Sequence, residues 1–178
     1  MAKACQPFFQ SLSNLAVKEF GGSLIKGNAR EARPIALKRP MHLVMRSSYA
    51  KKEKSFLRPE RARRIHQIIH RVGTLSGVKI YRYANSGNHL HLVIRARSRR
   101  SLSNFLRAVS GIIARLTLGA ERGKARGLKF WDARPFSRIL EWGREYQNVS
   151  NYLLQNTLEA LGFIPYQARA RQRPESSA

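Results

Sequence analysis

Apolar residues recur along this 178-residue chain with two different periods, and the switches between them mark out a series of elements. Met41-His42-Leu43-Val44-Met45 has the dense apolar character of a strand. Pro59 and Glu60 then open a helix in which Ile65, Ile68, Ile69 and Val72 fall at i, i+3, i+4 and i+7. Val78 to Tyr83 and His89 to Arg95 read as two more strands joined by the turn cluster Asn85-Ser86-Gly87-Asn88, so they are expected to form a hairpin. Ser101 is the expected N-cap of a second helix, along which Leu102, Phe105, Leu106, Val109, Ile112, Ile113 and Leu116 make an apolar stripe. A loop rich in Gly and Lys/Arg, Gly119 to Lys129, leads to a short strand around Phe136 to Leu140. The last helix is expected from about Glu145 to Leu161, stopping at Gly162 with Pro165 beyond.

The order β-α-β-β-α-β-α predicts an α+β fold, an antiparallel sheet with packed helices, of ferredoxin-like character. The length suits one domain with a real core rather than two, and residues 39–165 carry it. Residues 1–38 read as an appendage: Phe8, Leu12, Leu15 and Phe20 recur at helical spacing before Gly21-Gly22, predicting a short amphipathic helix and then a basic linker. Residues 166–178 read as a basic, flexible tail.

Charge changes the picture. Thirty-four Lys and Arg against ten Asp and Glu give a net charge of +24, far beyond what solubility needs, and imply a polyanionic partner. From residue 61 to 120 there is no Asp or Glu at all, while basic residues run from Arg61 to Arg115, an electrostatic footprint for phosphate backbones. A non-enzymatic RNA- or DNA-binding module would be equally basic, so charge alone leaves the activity open. The single Cys5 excludes an internal disulfide and a Cys-rich zinc site and fits a reducing cytoplasm. No apolar run reaches signal or membrane-spanning length, so a soluble chain with no membrane partner is expected.

The candidate chemistry sits in Asn88-His89-Leu90-His91-Leu92-Val93-Ile94. Strand alternation sends His89, His91 and Val93 to one face and Leu90, Leu92 and Ile94 to the other. Two imidazoles pointing one way suit a divalent metal, though a plain pair of surface or core histidines has the same pattern. On the last helix, Tyr152 and Asn156 are four residues apart and share a face. Resting on the histidine face, that helix would present a phenol nucleophile and an amide oxygen together; a tyrosine packed with its hydroxyl at a rim is the alternative.

These residues, with the segments "RPMHLV", "NHLHLVI", "KFWDARPFSRIL" and "YLLQN" between Arg39 and Pro165, resemble the single-tyrosine HUH transposases. That family includes insertion-sequence enzymes that move single strands and the REP-associated tyrosine transposases. The resemblance implies a ferredoxin-like HUH nuclease fold, His89 and His91 as metal ligands, Tyr152 as nucleophile and Asn156 completing the site, with Gln155 as the alternative third ligand. It implies Mg²⁺ or Mn²⁺ as cofactor, single-stranded or hairpin DNA as partner, and cleavage and transfer through a 5′-phosphotyrosine, at the nucleoid in the cytoplasm. Many relatives carry Met-Pro before Asn-His-x-His and Asn-Pro after the tyrosine; here Ser86-Gly87 and Asn156-Thr157 stand in those places. Arg46, Lys51, Lys52, Arg95, Arg97, Arg99, Arg100, Trp131 and Arg138 are the expected nucleic-acid contacts. Monomer and homodimer both stay open, as do a mobile and a domesticated role.

Other features read differently. His66 and His70 lie at i, i+4 without an intervening Glu and are expected to be a surface pair. Tyr146 lies about 240° round the helix from Tyr152 and should face elsewhere. Trp131 and Phe130 could stack on a base or pack on an edge strand. His42 and His89 lack the hydroxyl residues of a two-histidine phosphodiesterase, and the acid-free span disfavours a three-carboxylate transposase.

Overall fold

The computed structural model describes residues 19–24, 31–119 and 129–167. Its strands are β1 (Glu19–Phe20), β2 (Met41–Arg46), β3 (Val78–Asn85), β4 (His89–Ala96) and β5 (Phe136–Ile139). Its helices are α1 (Pro59–Ser76), α2 (Arg99–Leu118) and α3 (Arg144–Ala160). All strand pairs are antiparallel, in the order β1-β5-β2-β4-β3. β2 and β3 are both antiparallel to β4, so they run parallel to each other with α1 as their crossover. The same holds for β4 and β5 with α2. Two such split β-α-β units are the ferredoxin-like arrangement the sequence predicts.

The two-residue period of the strands divides the sheet into unlike faces. Leu43, Met45, Leu90, Leu92 and Ile94 pack with Ile65 and Ile69 of α1 and Phe105, Val109 and Ile113 of α2 in one large core. Side chains of this size each stabilise the fold by roughly 1.5–3 kcal/mol on full burial. The opposite face carries a smaller cluster, Ala84, Val93 and Leu140 under Leu153 of α3, with Tyr81, Tyr146, Val149 and Tyr152 packed around it.

Local chemistry sets the ends. The cap of α2 is Ser98, not Ser101. Ser98 is extended (φ −156°, ψ 167°) and its hydroxyl accepts from the Ser101 amide at 3.0 Å, which brings Arg99 and Arg100 into the first turn. The β3–β4 turn is fixed by Asn85, whose amide donates to the Phe56 carbonyl at 2.8 Å and whose oxygen accepts from the Gly87 amide at 3.0 Å. Gly87 sits at φ +86°, where a side chain would be strained and would press on Leu57 and Ser55. α3 stops before Gly162, at φ +77°.

The appendage differs from its expected form at Phe20. Instead of ending a helix, Phe20 pairs with Ser137 and extends the sheet beyond β5, because the β5 edge offers backbone partners that override the local spacing. The rest of the predicted helix lies outside the described residues, as do most of the Gly119–Lys129 loop and the tail beyond residue 167. Arg33 then pins the following segment to β5, donating to Ser137 Oγ at 2.5 Å and the Pro135 carbonyl at 2.7 Å. No helix among the described residues is long and apolar enough to cross a membrane.

Candidate active site

β4 presents His89, His91 and Val93 to α3, as alternation predicts, while its leucines enter the core. Antiparallel pairing then decides which β2 residues join them. His42 lies opposite Val93, Val44 opposite His91 and Arg46 opposite His89, so His42 and Arg46 share the histidine face. α3 lies across this face, with buried Leu153 as its anchor and Tyr152 beside it. Tyr152 and Asn156 are one turn apart and both line a cavity of about 590 Å³. Arg46, Ser86 and His89 line it too, and it continues to Glu159, Ala160 and Tyr166.

Three histidines and the tyrosine form one aromatic cluster. The His89 and His91 ring centroids are 4.8 Å apart, and the Tyr152 ring stands edge-on to His91 at 5.6 Å and to His42 at 6.3 Å. Sequence reasoning missed His42, which stacks on His91 (5.5 Å, 13° between planes) with its Nε2 3.2 Å from His91 Nδ1. The signal was present in the β2 alternation but needed the β2–β4 register to be read. When His91 Nδ1–H donates to His42, the His91 lone pair is on Nε2. His89 Nδ1 lies 2.6 Å from the Asn88 side-chain oxygen, which only accepts, so His89 carries its proton there and its lone pair on Nε2. His89 is thus held in the Nε2-ligating tautomer by a second partner, and His91 takes the same tautomer when His42 accepts its proton, the arrangement metal-binding histidines use.

The surroundings favour the neutral forms of His42 and His89. Burial, reinforced by the Arg138 charge, lowers the His42 pKa to about 4. Burial and then Arg46 lower that of His89. The Asn156 Nδ2 and Ser86 Oγ atoms are buried without a hydrogen-bond partner among the described residues, an unmet demand that a polar ligand in the cavity would satisfy. Gln155 is turned aside, its amide donating to Glu159 at 3.0 Å, and does not line the cavity. The His89 and His91 imidazoles and the Asn156 amide oxygen are therefore donor types that fit a divalent cation taking further oxygens from its substrate. Among the described residues no group of three or more His, Cys, Asp or Glu is placed to hold a metal.

The residues expected to contact nucleic acid fall into separate places. Arg46 lines the cavity, 3.5 Å from Asp132. Lys51 and Lys52 are exposed on the loop after β2. Arg138 lies opposite His42 on the same face and is paired with Glu145 at 2.8 Å. Arg95, Arg97, Arg99 and Arg100 sit at the far end of β4, Arg95 six residues and so about 20 Å from His89. Trp131 is a packing residue: its half-buried ring lies on the core and its N–H donates to the Ser110 carbonyl at 3.1 Å. Tyr146 packs on Tyr81 and Trp142, away from the cavity. His66 and His70 are an exposed pair on α1, 4.4 Å apart.

The family model "Transposase IS200 like" matches residues 38–156. The chain belongs to this family. Among solved structures, this IS200-like chain is similar to a REP-associated tyrosine transposase bound to a REP hairpin, with a TM-score of 0.57 and 12% identity over 77% of this chain and 76% of that one. That likeness establishes the shared fold. A second structure, from Deinococcus radiodurans R1 and bearing a provisional transposase description, aligns at a TM-score of 0.44 and 18% identity, covering 72% of this chain and 98% of that one. No curated protein matches the sequence significantly.

Proposed function

We propose that this IS200-like chain is a metal-dependent, single-tyrosine enzyme that cleaves and transfers strands of single-stranded or hairpin DNA. The observation that carries the reading is the convergence of Tyr152, His89 and Asn156 on one cavity, with His91 in ring contact with both His89 and Tyr152. A basic binding module has no use for that constellation. The REP hairpin held by the neighbouring structure supports hairpin DNA as a substrate form.

In this reading the Tyr152 oxygen attacks the scissile phosphorus and the bond from phosphorus to the 3′-oxygen breaks. The products are a 5′-phosphotyrosine and a free 3′-hydroxyl; the phenol gives up one proton and the leaving oxygen gains one. One phosphodiester replaces another, so the step is reversible by attack of a 3′-hydroxyl and needs no nucleotide cofactor. His89, His91 and Asn156 would hold Mg²⁺ or Mn²⁺, which would supply neutralisation of charge developing on the scissile phosphate. Arg46 adds a fixed positive charge at the cavity, and packing against His91 and His42 orients the Tyr152 ring. Acting on chromosomal DNA places the enzyme at the nucleoid.

A 3′-labelled single-stranded oligonucleotide tests this. With Mg²⁺ or Mn²⁺ the protein should give a labelled, protein-sized band that survives denaturing electrophoresis and disappears on protease treatment. Equal yield of that band in excess chelator would remove the metal from the reading, and no band under any condition would leave only a binding module.

A further inference from the structure

A second aromatic constellation lies on the same side of the sheet as Tyr152 but outside its cavity. The β3–β4 register slips between Ile80 and Arg82, and this bulge breaks the strict alternation of β3. Ile80 enters the main core and Tyr83 returns to it, while Tyr81 and Arg82 both lie on the α3 side. There Tyr81 meets Trp142 edge-on at 5.4 Å and Tyr146 at 6.2 Å, and Trp142 lies 5.2 Å from Tyr146.

Trp142 is held without being buried. Its indole N–H donates to the Lys38 carbonyl at 2.9 Å and two tyrosines brace it, yet it is 47% exposed. Positive charge lies on the tyrosines that brace it: Lys79 Nζ is 5.1 Å from the Tyr81 ring and the Arg82 guanidinium 6.0 Å from the Tyr146 ring. The nearby carboxylates are already matched, Glu141 by Arg39 at 2.6 Å and Glu145 by Arg138 at 2.8 Å. A fixed, exposed indole whose two bracing tyrosines each carry a cation on the ring suits a flat π-system attached to a phosphate backbone, which is an unpaired nucleobase. An aliphatic protein surface would leave those cations unmatched. Tyr146 lies six residues before Tyr152 on α3, about 9 Å along the axis, and both pack in the same small cluster under α3.

Resting on the DNA-strand reading above, we infer that Trp142 is a stacking platform for an unpaired base of the strand that occupies the Tyr152 cavity. The full-length protein, in chelator so that no chemistry occurs, is titrated by anisotropy with a labelled single-stranded oligonucleotide and with a series carrying one abasic residue at successive positions. Trp142→Ala should weaken binding of the intact oligonucleotide about tenfold. One abasic position should cost the wild type a similar factor and cost Trp142→Ala nothing further. Trp142→Phe keeps a ring and should retain most of the affinity. As a readout independent of the alanine variant's folding, the emission lost between wild type and Trp142→Phe isolates Trp142 and should be quenched on DNA binding. Wild-type binding with no quench at Trp142 and no affinity loss in Trp142→Ala would overturn the platform while leaving DNA action in place. No wild-type binding at all would overturn both.

Discussion

The two faces of the sheet are built from the same strands and do opposite work. Toward α1 and α2, β4 sends Leu90, Leu92 and Ile94, all fully buried among other hydrocarbon. Toward α3 it sends His89 and His91, and the fully buried packing there is reduced to Ala84, Val93, Leu140 and Leu153, with half-buried tyrosines around them. The first face holds polar groups out and supplies most of the stability. The second tolerates buried Asn156 Nδ2 and Ser86 Oγ without partners and a histidine kept neutral by burial, each unfavourable for folding alone. Alternation lets one strand serve both, so His89 and His91 are mounted on a strand whose other face is anchored in the core.

That division can be broken from either side. Phe105→Ala, deep under the first face, should destabilise the protein by about 3–5 kcal/mol through lost burial and the cavity left behind, seen as a lower midpoint in urea. A loss below about 1 kcal/mol would mean the core is not concentrated there.

Acid should act on the second face. The His42 pKa near 4 in the folded chain lies below the ordinary imidazole value near 6.5. Between these the unfolded chain binds more protons, so stability is fully present above about 6.5 and falls as pH drops toward 4, by up to about 3 kcal/mol. Burial moves His89 in the same direction. Urea midpoints in chelator at pH 7.5 and 4.5 measure this, and the slope should shrink in His42→Leu.

A smaller effect sharpens the role of His42 as a positioning residue. His42→Leu removes the partner of His91 Nδ1, and Mn²⁺ affinity without DNA should fall about 10- to 100-fold. His42→Gln, which keeps an acceptor, should recover part of it. Calorimetric titration of Mn²⁺ reads this directly, and unchanged affinity in His42→Leu would make His42 packing only.

Much of this was legible in the sequence where the signal is local. The face of His89 and His91 follows from alternation within β4, and the shared face of Tyr152 and Asn156 from helical spacing. The exceptions are non-local. His42 is 49 residues from the His91 it touches, and only strand pairing brings them together. Tyr81 and Arg82 fall on one side through a bulge set by the neighbouring strand, and Phe20 is extended because the β5 edge recruits it. Trp131 has the composition of a stacking residue but its position fills the core. Arg97, Arg99 and Arg100 shared a charge pattern with Arg46, and strand length carried them to the other end of the sheet.

The central claim is that Tyr152 supplies the atom that becomes bonded to DNA. Tyr152→Phe keeps the ring that packs against His91 and deletes only the oxygen, so the fold and DNA affinity should survive while chemistry does not. With 3′-labelled single-stranded DNA and Mn²⁺, the wild type and Tyr146→Phe should both form the covalent band, and Tyr152→Phe should form none while binding the oligonucleotide within about twofold of wild type. A covalent band that persists in Tyr152→Phe would contradict the account.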